Sequence, residues 1–340
     1  MKLMNPWRTL LETAIHVPSP HNVQPWRVRL VNDRQAELFI DRRRTLPKED
    51  VTGSFIILTM GMFIEALSIL AINQKLKLEY ELYHEPSWYA PAILEPGAET
   101  LLPFARLRLV TGHTEAESGY AEALFMKRRT SRIALLPEAV PEKSAQALKE
   151  LAARWNQRYE QITDPAAIER ILACNTDALF EDLNNPAYHD EIVEWFRFTN
   201  ASARRTRDGL DYRCMNATRP SFWLAARMPW LMRFPLTRPL LSRTYRSQIG
   251  LVPTIGILAG DFWQPESAIQ TGRFFMRFWL ETALQGLYIH PYGNLVTNRR
   301  AARWCAEETG ISNIWLIFKI GSSKEPPKSY RLPLEEILVD

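Results

Sequence analysis

The chain has 340 residues, 46% apolar and 24% charged, with a formal net charge of +4; the length suits two domains, and the apolar share is ordinary for a soluble chain with ample core material. The charge is concentrated: residues 197–246 hold eleven arginines, no lysine and only Asp208 and Asp211 as acids, so basicity is local and a general nucleic-acid role is not indicated. The run Met1–Trp7 lacks a signal peptide's apolar stretch, and no uninterrupted apolar run approaches the roughly 20 residues that span a bilayer; the expectation is a cytoplasmic protein.

Periodicity and turn residues place a helix over residues 4–16, strands over 26–32 and 36–41, a long helix over 53–74, and strands over 76–83 and 103–110. A linker is expected over 84–102, where His84-Glu85-Pro86-Ser87-Trp88 and Glu95-Pro96-Gly97 are turn-rich. A second half begins near residue 115, with helices over 117–128, 141–155, 165–178 and 188–200. A strand over 251–259, a second long helix over 271–287 and a last strand over 314–320 complete it.

Between the first helix and first strand lies Pro18-Ser19-Pro20-His21-Asn22-Val23-Gln24-Pro25-Trp26. Three prolines forbid a continuing helix, and the loop offers a hydroxyl, an imidazole and two carboxamides, each able to donate and accept. That set suits the pyrimidine edge of a flavin, and it also suits a plain rigid turn. A second element, Lys127-Arg128-Arg129-Thr130-Ser131-Arg132, closes a helix that starts near Gly119. Arginine forks with adjacent hydroxyls can grip a phosphate, although such runs also end ordinary solvated helices.

Together the two elements resemble the FMN-dependent nitroreductase family, with its Arg-Arg-Ser signature and Pro-Ser-x-x-Asn-x-Gln-Pro-Trp loop. Thr271–Leu287 looks like the family's central helix, Pro291-Tyr292-Gly293-Asn294 like its flavin-facing loop, and Pro327-Lys328-Ser329-Tyr330-Arg331-Leu332-Pro333 like its basic tail. In ordinary members the arginine motif precedes the Pro-Ser loop; here the order is reversed. The resemblance therefore implies two fused nitroreductase-like halves, as in the Acg-like branch of single-chain pseudo-dimers. The implied fold is α+β, each half a small mixed β-sheet flanked by helices and packed through long central helices, the helix Phe55–Asn73 serving the first half. The halves are residues 1–110 and 115–340, the second carrying a lid-like insertion around 200–248.

One FMN site per chain follows from the same resemblance. Arg128 and Arg331 would take the phosphate with Arg129 and Thr130 beside them, and either Lys328 or Ser329 would take the tail's first cationic position. Arg132 would face the N1 and O2 edge, where reduction gathers negative charge. Ser19, His21, Asn22 and Gln24 would come from the other half, and Pro291, Tyr292, Gly293 and Asn294 would approach the ring, glycine leaving room for it. The implied activity is NADH- or NADPH-dependent reduction of small nitro or quinone-type acceptors by a monomeric pseudo-dimer. The alternative is a protein that sequesters FMN beneath residues 221–248, where Trp223, Trp230 and Phe234 favour closure. That segment could instead meet an anionic partner or, as a less favoured reading, an acidic membrane surface. It could also be a packed insertion whose arginine stems reach to water.

Other chemistries lack their signatures. No Gly-x-Gly occurs, so no Rossmann or P-loop nucleotide site is expected. His16, His21, His84, His113, His189 and His290 form no ligand-spaced pairs with Cys174, Cys214 or Cys305, so no metal is expected and the cysteines read as reduced and partly buried. There is no Gly-x-Ser-x-Gly elbow. His290 stands as a weak candidate proton donor.

Overall fold

The computed structural model describes residues 5–95, 97, 99–112 and 120–340. The expectations at Met1–Met4, Pro96, His113 and residues 115–119, including the helix start near Gly119, lie outside the described residues. The first elements are α1 (Pro6–Ala14), β1 (Trp26–Leu30), β2 (Gln35–Asp41), α2 (Ser54–Asn73), β3 (Leu76–Leu82), α3 (Pro86–Leu94), β4 (Leu101–Thr111) and α4 (Glu122–Lys127). The chain continues through α5 (Glu142–Arg154), β5 (Gln157–Ile162), α6 (Pro165–Leu183), α7 (Pro186–Glu194), β6 (Phe196–Arg197), α8 (Asn200–Thr206) and β7 (Leu210–Asp211). It ends with α9 (Arg219–Arg227), α10 (Arg238–Ile249), β8 (Ile255–Gly260), α11 (Pro265–Leu284), β9 (Tyr288–Pro291), α12 (Asn294–Thr297), α13 (Arg299–Thr309), β10 (Ile314–Gly321) and α14 (Leu334–Ile337).

Two four-stranded sheets form, ordered β1-β2-β4-β3 and β5-β8-β10-β9. Each is built from two strands, then a 20-residue helix (α2 or α11), then two more strands, with the fourth strand placed between the second and third. All their strand pairs are antiparallel. The expected mixed character comes only from single parallel bridges, Val28 with Leu338 and Thr130 with Ile289. A separate two-stranded ribbon pairs β6 with β7 in parallel.

The chain divides into two compact units. The first comprises residues 1–127, 262–280 and 330–340; the second comprises 128–261 and 281–329. Most of α11 thus belongs to the first unit although its flanking strands lie in the second. In the first unit α2 is buried on nearly every side, as its largely apolar sequence requires. By length and composition this helix could cross a membrane, although Glu65 interrupts its apolar run; 89% of the qualifying window is buried within the protein, the condition of a core helix. Trp26 stacks on its Phe63 at 4.8 Å between ring centroids.

Residues of α2 and α11 meet at two glycines. A Cβ added at Gly61 would land on the carbonyl oxygen of Ile269 and 3.1 Å from its carbonyl carbon; one added at Gly272 would land on the carbonyl oxygen of Leu58 and 2.9 Å from its carbon. Each glycine faces the carbonyl three residues before the other, so the contact is reciprocal, as across a two-fold axis. One turn further along α2, Glu65 is fully buried; Arg273 Nε donates to its Oε2 at 2.7 Å, and Arg277 donates to Oε1.

Several elements differ from the sequence reading. The linker expected over 84–102 contains α3, because Pro86 sits at the first helical position, where its missing amide costs nothing. The buried Tyr89 anchors this helix by donating to the Phe104 carbonyl at 2.7 Å. The helix expected over 188–200 ends at Glu194, and α6 runs on to Leu183. Strands β5 and β9 and helices α9, α10 and α13 were not anticipated. β5, Gln157-Arg158-Tyr159-Glu160-Gln161-Ile162, is mostly polar and buries only Tyr159 fully, so it carries little apolar alternation.

Candidate functional site

In the first unit the loop after α1 turns sharply at His21, Asn22 and Gln24, all with positive φ (45°, 58° and 55°). Side-chain-bearing residues adopt this region only when their surroundings hold them there. Here Gln24 N donates to Ser19 Oγ at 3.0 Å and Gln24 Nε2 to the Asn22 carbonyl at 3.3 Å. The C-terminal tail clamps the same loop: Leu332 N donates to Gln24 Oε1 at 2.8 Å, Asn22 Nδ2 donates to the Tyr330 carbonyl at 3.1 Å, and Arg331 donates to Asn22 Oδ1. Ser19, Asn22, Gln24 and Arg331 therefore come together. Gln24 is fully buried with both ends of its carboxamide engaged, which makes it a strut of the loop rather than a ring-edge donor.

His21 pairs with Glu49. Burial alone would raise the Glu49 carboxyl, but the charge and hydrogen bond of His21 outweigh it and hold it below its ordinary value. Beneath the loop Arg27 bonds the carbonyls of Gln24 (3.1 Å) and Trp26 (2.6 Å) and pairs with the fully buried Asp41 at 3.0 Å. Burial, only partly offset by Asp41, brings its guanidinium down to about 10.

The second unit holds the arginine motif. Arg128 is buried. Arg129, expected beside a phosphate, instead pairs with Glu325 at 2.7 Å and donates to the Pro326 carbonyl at 2.7 Å, because the 325–326 turn presents a carboxylate and a carbonyl to one guanidinium fork. Thr130 bridges Ile289, Ser131 N donates to the Ile289 carbonyl at 3.0 Å, and the Ser131 hydroxyl meets that of Ser323 at 3.0 Å, so this stretch extends the β9 edge. Lys328 is exposed and belongs to the second unit, Arg331 to the first.

Arg132, half-buried, is the centre of a polar cluster. Its Nη1 donates to the Cys214 carbonyl at 3.2 Å, and its charge acts on His290 and Lys319. His290 lies 5.0 Å from Tyr292 between ring centroids, and Asn175 Nδ2 donates to the Tyr245 hydroxyl at 3.2 Å. Asn294 Nδ2 donates to the Asn175 carbonyl at 3.4 Å. Burial lowers Arg132. Burial, reinforced by the charges of Arg132 and Lys319, takes His290 well below 6.5 and disfavours its charged form. Among the described residues no carboxylate pairs with Arg132 or Lys319. Arg132 Nε, His290 Nδ1, Tyr292 Oη and Asn175 Oδ1 are buried without a hydrogen-bond partner.

Lys319 is fully buried, donating to the carbonyls of Ile133 (2.7 Å) and Ile249 (3.0 Å). Burial, then the Arg132 charge, pull it from 10.5 to about 7. Between those values the unfolded chain binds the extra proton, so folding is favoured as pH rises from 7 towards 10, by up to about 1.4 kcal/mol per pH unit. Lys319→Met is expected to remove that rise in urea unfolding measured across the same window; an unchanged slope would place the titration elsewhere. A lone lysine within Ile314-Trp315-Leu316-Ile317-Phe318-Lys319-Ile320 was a legible signal for this residue. Tyr245, Asn175 and Cys214 carried none, since only folding gathers them.

At Gly293 a Cβ would meet nothing within 4 Å and φ is −55°, so the chain itself does not require glycine there. The three cysteines are free. The thiols of Cys174 and Cys305 nevertheless share a hydrogen bond across α6 and α13.

No family model matches the chain. It is 26% identical over 188 residues to a Mycobacterium tuberculosis (strain CDC 1551 / Oshkosh) protein whose name proposes a NAD(P)H nitroreductase, covering 55% of this chain and 50% of that one. It is 22% identical over 185 residues to an uncharacterized protein of the same strain, covering 54% and 50%. The chain thus spans about half the length of the curated relatives it matches. Among solved structures it is similar to the FMN-dependent nitroreductase NfnB of Mycobacterium smegmatis in complex with NADPH, at 18% identity and a TM-score of 0.38 over 63% of this chain and 95% of that one. A FMN- and NADPH-dependent nitroreductase from sphigopyxis sp. strain HMH gives 14%, 0.38, 65% and 98% for the same four measures.

Proposed function

We propose that this protein is an FMN-binding oxidoreductase of nitroreductase-like fold that uses NADH or NADPH to reduce small acceptors of the nitro or quinone type. The observation that carries the reading is Arg132: a half-buried guanidinium whose Nε is shut from water without a hydrogen-bond partner among the described residues, with no carboxylate beside it, grouped with Lys319, His290 and the Tyr292 hydroxyl. Buried cations without counter-charge are costly, and such a set fits the electron-rich pyrimidine edge of a flavin. The weak similarity to a curated relative whose name proposes a NAD(P)H nitroreductase agrees with it.

We also read the chain as two fused halves, 1–110 and 115–340, of the Acg-like kind. The shared strand order around two 20-residue helices, and the reciprocal contacts of Gly61 and Gly272, support that division.

FMN supplies, when bound, the hydride chemistry: two electrons taken from a nicotinamide and passed to the acceptor, with negative charge gathering at the N1 and O2 edge. Arg132 holds positive charge for that edge at no cost of reorganisation, since its other contact is a fixed carbonyl. Lys319 Nζ, titrating near 7, can gain or release a proton as the charge beside it changes. By the family resemblance, Arg128 and Arg331 would hold the phosphate, and Ser19 and Asn22 would face the ring. A second reading, FMN held without turnover, is favoured by the insertion residues Cys214 and Tyr245 beside Arg132.

The test is a flavin titration. Arg128→Ala and Arg132→Met are each expected to weaken FMN binding by about 1.5–3 kcal/mol, the contribution of a hydrogen bond to a charged group and roughly ten- to a hundredfold in affinity. Unchanged affinity in both would remove the site assignment.

A further inference from the structure

Residues 219–247 present a two-sided surface. The inner side is consumed by packing: Phe222 and Ala226 join Ile192, Phe196 and Leu210, and Met232 joins Phe180 and Leu183 on α6. The outer side leaves large apolar groups in water. Trp223 is 51% exposed, Trp230 46%, Phe234 52%, Leu236 93% and Leu240 66%, and Trp230 lies edge-on to Phe234 at 5.5 Å. Five such residues within eighteen positions form a contiguous-chain patch rather than the scattered exposure normal for a surface.

The cations are placed around this apolar tip. On α9 the exposed stripe reads Arg219, Trp223, Arg227 at four-residue spacing; on α10 it reads Leu240 and Arg243, and Arg233 stands exposed in the turn between them. No aspartate or glutamate occurs from residue 212 to residue 260. Arg238 and Arg246 pair with Asp177 and Glu169 of α6, while the exposed Arg219, Arg227, Arg233 and Arg243 have no carboxylate partner among the described residues; an apolar segment of Trp, Phe and Leu interspersed with such cations matches the chemistry of an anionic bilayer surface. The rings and the leucines enter the acyl boundary while the guanidinium groups meet phosphate headgroups. A soluble polyanion would use the arginines but leave Leu236 and Phe234 without partners.

We propose that the 219–247 surface docks the protein reversibly on membranes rich in anionic lipid. This goes beyond the flavin reading and does not depend on it, because its readouts use neither cofactor nor turnover. The full chain is mixed with vesicles of phosphatidylcholine alone or with phosphatidylglycerol added, and binding is followed by co-sedimentation and by tryptophan emission. The expected result is binding to the anionic vesicles only, weakened by salt, with a blue shift in emission. Phe234→Ser and Leu236→Ser should each weaken binding about tenfold or more, with circular dichroism unchanged. Arg227→Gln with Arg243→Gln should weaken it without altering the blue shift of the fraction bound.

Three results would overturn the proposal: no binding to anionic vesicles at low salt; binding that responds to the arginine changes but not to Phe234→Ser or Leu236→Ser, the behaviour of a polyanion site; or a concentration-dependent dimer lost in the same two variants while vesicles are ignored, which would make a second copy the occupant. A variant that loses its folded spectrum is replaced by Leu236→Ala, whose near-complete exposure leaves folding indifferent to it.

Discussion

Replacing Glu65 with glutamine is expected to destabilise the protein by about 3–5 kcal/mol, the largest single effect among these substitutions. Glu65 is fully buried and receives both Arg273 and Arg277. Removing its charge leaves two guanidinium groups in and near the α2–α11 contact without that carboxylate. Arg273→Met should cost less, because that side chain is partly exposed and Glu65 keeps its pair with Arg277. Exchanging all three for leucine and methionine should recover much of the loss, since an apolar trio of similar volume avoids the desolvation that the ions suffer. Urea unfolding of the single and triple variants measures this; a Glu65→Gln chain within about 1 kcal/mol of the parent would mean that water or other groups screen the arginines.

Gly61→Ala and Gly272→Ala are the next largest. Alanine favours an isolated helix over glycine by about 1 kcal/mol, so the sign rests on which effect wins. Each added methyl would coincide with a backbone carbonyl of the facing helix, an atom with no rotamer by which to withdraw. Overpacking of this kind costs typically 1–3 kcal/mol, and displacement of whole helices places it at the upper end. The two sites serve one contact, so their effects should not add: once the first alanine has pushed the helices apart, the second costs less. Additive losses would show two independent clashes and weaken the two-fold reading. A gain in stability from either variant would show that propensity outweighs the contact. Gly293→Ala provides the contrast, with stability expected to be unchanged because its Cβ has open space.

What the sequence disclosed follows from whether the signal was local. α2 was visible because an apolar run of helical length has few other fates, and the turn at Pro18–Pro25 was visible because three prolines leave few conformations. α3 was hidden by its own prolines, which mark turns and helix starts alike. The partners of a polar side chain were not visible at all. The carboxamides of Gln24 and Asn22 suit a ring edge, whereas two of their partners in the fold, Leu332 and Tyr330, stand 308 positions away in the chain. Arg129 is expected beside the phosphate because the motif displays its charge but not the Glu325 with which it pairs. Arg132 was singled out on the same motif, and its distinction from Arg129 is the absence of such a carboxylate among the described residues.

The most direct test is a spectrum. Purified full-length chain is loaded with FMN, freed of unbound flavin and mixed without oxygen with NADPH and then NADH while absorbance near ~450 nm is followed. The account predicts that the flavin stays with the protein and that one donor bleaches it within seconds to minutes. A chain that takes up no FMN, or one that holds FMN reducible by dithionite but by neither nicotinamide, would contradict it.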